Sequence, residues 1–291
     1  MVCAAAPTLK ENPMSYRTIL VHADMSRHAE ARIRLAAGLA VDFEAHLVGT
    51  ALTGVSPFLL PGSVEMGGEM FAEQIELMQD AANRALDQFD AIVSHMGLAL
   101  HERRYVNDEV DGGIALQARY ADLLVVGQID PSEKILGQPS GLVEYLLMNT
   151  ARPVLVTPYT WSGDELGRTA VVAWDGSLEA TRAVIGALPL LKRAAKVTVL
   201  VFDAGDSGGA HGEQPGADLA LYLARHGVTV EADAQTSTID TGNALLSYLA
   251  DLNTDLLVMG GYGHARLREM LLGGVTRTIL NAMTLPVLLA H

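Results

Sequence analysis

Apolar runs of strand length alternate along this chain with stretches in which apolar residues recur at helical spacing. The runs near 17–23, 44–51, 100–106, 122–127 and 152–157 read as strands, and so do those near 168–174, 196–202, 228–234, 255–260 and 285–290. Several, such as Leu123–Val126 and Leu256–Met259, are apolar throughout rather than alternating, which marks strands covered on both faces. Between them, Ser177–Leu191 puts Ala180, Val184, Ala187 and Leu191 on one helical face. Glu69–Met96 does the same with Phe71, Ile75, Met78, Ala82, Leu86, Phe89 and Val93. Strand–helix alternation of this kind predicts an α/β fold with doubly wound parallel sheets.

The pattern occurs twice. RTILVHAD at Arg17–Asp24 returns as RTAVVAWD at Arg168–Asp175, 151 residues later. DLLVVG at Asp122–Gly127 returns as DLLVMG at Asp255–Gly260, and RPVLV at Arg152–Val156 as LPVLL at Leu285–Leu289, both 133 residues later. Three matches in one order indicate a duplication, with 18 extra residues in the first half between Asp24 and Asp122. The predicted organisation is a disordered tail at 1–15, a first domain at 16–158, a linker at 159–167 and a second domain at 168–291, each domain a five-stranded sheet. The proline- and glycine-bearing stretch Thr53–Gly68 reads as the inserted loop, together with the helix after it. Phe58, Leu59 and Leu60 within it read as packing over a sheet edge, with a lid or contact surface as the other reading.

Ligands of such sheets lie beyond the carboxyl ends of the strands, where strand order reverses. In the second half those ends are Asp175 and Gly260. Gly260 opens a run, MGGYGHARLREMLLGGVTRTIL, with glycines again at Gly273 and Gly274 before a helical pattern. Glycines after a parallel strand permit close backbone approach to a ligand, and glycines before a helix expose N–H groups suited to anions. GxxxxGK[ST] is absent, and Gly261–Arg266 fails GxGxxG at its last position.

The spacing of Gly260, Gly263 and Gly273 resembles the G-x2-G-x9-G-[S/T] of ATP-binding members of the universal stress protein family, with Gly274 in the hydroxyl position and Thr276 nearby. The resemblance implies two Rossmann-like domains of the adenine nucleotide alpha hydrolase-like kind, packed through their last strands as an internal pseudo-dimer. It also implies a site for ATP or another adenine nucleotide, with Mg2+ as a candidate companion. On this resemblance Asp175 would accept from a ribose hydroxyl beside Ala173 and Trp174, while Val201 or Phe202 would line the adenine pocket. Gly260, with Met259 before it among the nucleotide-binding residues, would pass under the ribose; Gly263, Gly273, Gly274, Val275 and Thr276 would surround the phosphates, and His264, which reads mainly as solvated, could reach one. Glycine at 274 in place of a hydroxyl removes about 0.5–1.5 kcal/mol of net hydrogen bonding. In the first half, Asp130 stands for Gly263 and Ser140 for Gly273, and Pro131 removes a donor, so that half is expected not to hold ATP in this manner.

A formal charge of −14 argues against nucleic acid or an anionic membrane as partner. The single cysteine, Cys3, excludes an internal disulfide, and no uncharged apolar run reaches membrane-spanning length. With no secretion-signal pattern in the first 15 residues, a cytoplasmic location is expected. The nine histidines form no HExxH or other local metal-ligand spacing, and no G-x-S-x-G elbow occurs, so neither a metal site nor a catalytic residue is predicted. Arg266, Arg268 and Arg277 read mainly as solvated, and Ser26 and Ser177 as helix caps. Three readings remain: a nucleotide-dependent stress-response regulator, with slow ATP hydrolysis as its most chemistry; a regulatory or scaffold protein without nucleotide; and a small-molecule enzyme. Protein partners or a homodimer are compatible with each.

Overall fold

The computed structural model describes residues 15–56, 60–135, 137, 139–163, 166–202, 214–263 and 274–291, with side chains of 60–71 set aside. The first half contributes β1 (Thr18–His22), α1 (Ala29–Phe43), β2 (His46–Leu52), α2 (Leu60–His95), β3 (His101–Val106), α3 (Val110–Ala118), β4 (Leu123–Gly127), α4 (Leu142–Asn149) and β5 (Val154–Thr157). The second contributes β6 (Thr169–Ala173), α5 (Leu178–Leu191), β7 (Lys196–Phe202), α6 (Ala217–Arg225), β8 (Val230–Gln235), α7 (Thr241–Asp251), β9 (Leu256–Gly260), α8 (Gly274–Ala282) and β10 (Val287–Ala290). All ten predicted strands form. The strand order is β3-β2-β1-β4-β5-β10-β9-β6-β7-β8, so each half is a five-stranded parallel sheet in the order 3-2-1-4-5. The two halves join where β5 meets β10 antiparallel, with Val287 opposite Val156 and Leu289 opposite Val154.

Buried apolar side chains lie on both faces of the sheet, which is why its central strands read as continuous apolar runs. One face is covered by α1, α2, α5 and α6, the other by α3, α4, α7 and α8. The repeated aspartates at the start of β4 and β9 have the same task. Asp122 accepts from the N–H groups of Arg17 and Thr18 at 2.8 and 2.9 Å, and Asp255 from those of Gly167, Arg168 and Thr169 at 2.9–3.1 Å. Each carboxylate satisfies backbone donors at the start of the neighbouring strand.

The insertion is helical rather than a loop through Gly68. Helix α2 begins at Leu60 and runs 36 residues, against nine for its counterpart α6. Pro61 falls in the first turn, where no intrahelical donor is needed, and the four-turn apolar stripe from Ile75 to Phe89 outweighs about 1 kcal/mol for each glycine. Of the predicted stripe, Ile75, Ala82, Leu86, Phe89 and Val93 are buried, and Phe89 is fully so. Phe58 and Leu59, like the tail at 1–14, lie outside the described residues.

Where α1 and α5 approach each other, Arg193 Nη2 meets Asp42 Oδ2 at 2.9 Å and its guanidinium lies over the Phe43 ring. Asp42 and Arg193 are 151 residues apart, so they are the same position of the two halves.

Candidate functional site

In the order 3-2-1-4-5 the strand direction of travel reverses between β6 and β9, whose register pairs Ala173 with Met259. Asp175 and Gly260 therefore leave neighbouring strand ends, as expected of a crevice at that point. Asp175 is exposed, and its Oδ1 accepts from Ser177 N–H at 3.0 Å. Ser177 in turn caps α5, accepting from Ala180 N–H at 3.1 Å.

Gly260 lies under the start of α5. A Cβ there would stand 2.5 Å from Ala180 N and 2.9 Å from Glu179 C, both backbone atoms, so only glycine fits. Gly263 is exposed and faces Glu179: its Cβ would lie 3.6 Å from Glu179 Oε2. Glu179 itself is buried, 3% exposed, and brings a carboxylate to the glycine loop that sequence reasoning did not single out. Its hidden signal is its position, one residue before Ala180 on a helix start that packs over β9.

Sequence reasoning also passed over Tyr262. It is 7% exposed, at a left-handed φ of 55°, and its N–H donates to Thr276 Oγ1 at 3.4 Å. Burial, with the nearby charge of Glu144, pushes its phenol up to about 12, so it stays neutral. The loop is held further by His291, whose Nδ1 donates to Gly261 O at 3.0 Å.

The remaining predicted residues divide. Ala173, Phe202, Met259 and Val275 lie on the α7–α8 side of the sheet. Trp174 turns to the opposite face, since successive strand residues alternate. There it lines a cavity of about 410 Å3 between α5 and α6 with Thr181, Val184, Leu219 and Tyr222. Ala173 and Trp174 thus do not flank one ligand with both side chains. Val201 is fully buried, leaving its backbone for any contact. A Cβ on Gly274, the first residue of α8, would meet nothing within 4 Å among the described residues. Thr276 is 5% exposed with its hydroxyl taken by the loop, so it braces the loop from inside. His264 and Gly273, with Arg266 and Arg268, lie outside the described residues.

The same place in the first half is filled. Asp24, the counterpart of Asp175, is 9% exposed, and Arg32 Nη2 lies 2.8 Å from its Oδ1. Arg32 Nε donates to His22 O at 2.8 Å, and a Cβ on Gly127, the counterpart of Gly260, would run into Arg32 Nη1. The guanidinium therefore occupies the strand-end crevice of the first half, where the second half has Ala183 at the position of Arg32. His22, fully buried with Nδ1 3.6 Å from Asp24 Oδ2, is pushed down to about 4 by burial, against the pull of Asp24. Asp24 is held well below the usual carboxylate range: burial raises it, but Arg32, His22 and Ser26 outweigh that.

Residues 167–291 match the model of the Universal stress protein family. A universal stress protein from Archaeoglobus fulgidus DSM 4304 shares the fold over 94% of this chain and 95% of its own, at 16% identity and a TM-score of 0.64. A functionally unknown protein from Pseudomonas aeruginosa PAO1 does so over 94% and 92%, at 15% identity and a TM-score of 0.59. No curated protein matches the sequence. Both likenesses extend over the two halves of the chain.

Proposed function

With residues 167–291 forming a universal stress protein domain, we propose that the second half binds an adenine nucleotide and that the chain acts as a nucleotide-dependent regulator in the stress response. The observation that carries this reading is the exposed Asp175 carboxylate beside the backbone of Gly260, set against counterparts Asp24 and Gly127 that Arg32 covers. Asp175 presents a carboxylate where a ribose hydroxyl can donate, Gly260 lets a ligand lie close to the backbone, and Gly274 leaves the start of α8 accessible to an anion. Asp175, Val201, Phe202, Met259, Gly260, Gly263, Gly274 and Val275 are the residues assigned to the site, with Thr276 supporting the loop. Trp174 is assigned no more than its backbone.

Glu179 makes the ligand's charge matter. A carboxylate beside Gly263 repels a phosphate placed there by about 1–3 kcal/mol at short range and intermediate dielectric. A divalent cation between them reverses the sign, so Mg2+ is part of the proposal. Binding is the function assigned.

Calorimetric titration of ATP with and without Mg2+ into wild type, Gly263→Asp and Glu179→Gln tests this. One-to-one binding that needs Mg2+, disappears in Gly263→Asp and loses much of its Mg2+ requirement in Glu179→Gln is expected. No heat from wild type, with no nucleotide carried through purification, would favour the scaffold reading.

A further inference from the structure

Where the second half has its glycine loop, the first half gathers a different set of groups. His28, the residue preceding α1, comes from the β1–α1 connection; Asp130 and Glu133 come from the turn after β4. His28 Nε2 is 3.0 Å from Asp130 Oδ2, and one donor atom from each of the three residues lies within 4.8 Å of the others. Asp130 is kept ionised by its neighbours. Its Oδ1 takes the N–H and hydroxyl of Ser132 at 2.8 and 2.7 Å, leaving Oδ2 turned to His28 and Arg27, and these hydrogen bonds hold its carboxyl down to about 2. Glu133 Oε1 accepts from Arg27 N–H at 3.1 Å. Glu133 Oε2 is buried and has no hydrogen-bond partner among the described residues, with Arg27 Nε 3.8 Å away.

We propose that His28, Asp130 and Glu133 bind a divalent transition-metal ion of the Zn2+ or Mn2+ class. One imidazole and two carboxylates form a donor set that suits such ions, whereas Ca2+ and Mg2+ take shells of oxygen and water. A tetrahedral ion with bonds of about 2.1 Å sets its ligand atoms about 3.4 Å apart. The 3.0 Å between His28 and Asp130 is near that edge, and the wider spacing to Glu133 leaves room for an ion to draw it in. Glu133 Oε2 supplies a lone pair that accepts no hydrogen bond among the described residues.

Charge points the same way. Two carboxylates face one guanidinium, and the Arg27 side chain is 56% exposed while Asp130 and Glu133 are 9% and 19%. Arg27 can swing into solvent when an ion of charge +2 neutralises both acids. The metal would clip the start of α1 to the β4–α4 turn, residues 102–105 positions apart, and leave one coordination position to water.

The test uses the full chain stripped with chelator, titrated with ZnCl2 and separately with MnCl2 by calorimetry, and with CoCl2 by visible absorption. One equivalent of tight binding is expected, with a rise in Tm. His28→Ala should weaken it about 100-fold, and Glu133→Gln about tenfold or more. Arg27→Gln should tighten it, because it removes the competing cation; this variant keeps both acids and all three ligands. His46→Ala, altering a histidine beside Glu102 on the surface, should leave binding unchanged. Binding that is absent in wild type, or equally strong in His28→Ala, or weaker in Arg27→Gln, would overturn the proposal in favour of an ion-pair network.

Discussion

The two halves share a sheet order and nearly the same strand lengths, yet their strand-end crevices are opposites. In the second, Asp175 is exposed and Gly260 abuts backbone. In the first, Asp24 is buried under Arg32, whose guanidinium sits against Gly127. The first crevice is thus closed from within by a side chain that the second half lacks. Closing it needed a single long side chain at a position that is alanine in the other copy. The buried charge of Arg32 is compensated on the spot by Asp24.

Removing that plug should have the largest effect. Arg32→Ala strands Asp24 as a buried unpaired carboxylate and is expected to lower stability by about 3–5 kcal/mol in chemical denaturation. It should not give the first half ATP binding, because Asp130 and Pro131 still replace the donors of the loop. ATP heat appearing at a second site in this variant would show that Arg32 alone separates the halves.

Acid probes the same contrast. His22 in the unfolded chain takes up a proton below about pH 6.5, while in the folded protein it does so only near 4. Stability therefore falls as pH drops across that window, by about 3 kcal/mol, and this group adds no further slope below it. Asp24, depressed in the fold, contributes stability that is present above its unfolded value and is lost below it, so its decline begins where that of His22 ends. His22→Asn should flatten the upper part of the curve; an unchanged slope between pH 6.5 and 4 would remove His22 from the account. No equivalent loss is expected from the second half, where Ala173 stands at the position of His22.

The smallest effect compares the two glycines. Gly260→Ala pushes a methyl into the backbone of α5 and should cost about 1–3 kcal/mol along with ATP binding. Gly127→Ala meets the end of a flexible arginine and should cost less. Equal losses in denaturation would mean that Arg32 is as immovable as backbone.

Much of this was legible in the sequence. The ten strands, the duplication and the meeting of Asp175 with Gly260 follow from apolar period, from repeated strings such as DLLV, and from where a parallel sheet puts its ligands. What escaped depends on side chains reaching across the fold. Arg32 reads as one polar residue on an amphipathic helix; that it is 2% exposed and lies on Gly127 needs the packing of α1 over β4. Glu179 hides in the same way. His28, Asp130 and Glu133 have no motif spacing, because the topology rather than the local chain brings them together. Read from sequence, α2 starts at Glu69 because Pro61, Gly62, Gly67 and Gly68 count as breakers, whereas their place within the helix decides what they cost.

The contact between Asp42 and Arg193 carries a consequence for how such a chain diverges. In an assembly of two identical subunits, a position on the symmetry axis must face its own copy, and a charge there repels itself. Here the two occupants are encoded separately, and they carry opposite signs at 2.9 Å. At about half exposure the pair adds little stability. Its effect is on recognition: a second copy of the first half would set aspartate against aspartate, and a second copy of the second half arginine against arginine. Two halves encoded in one polypeptide can thus set complementary charges at a position where identical subunits would set like charges together.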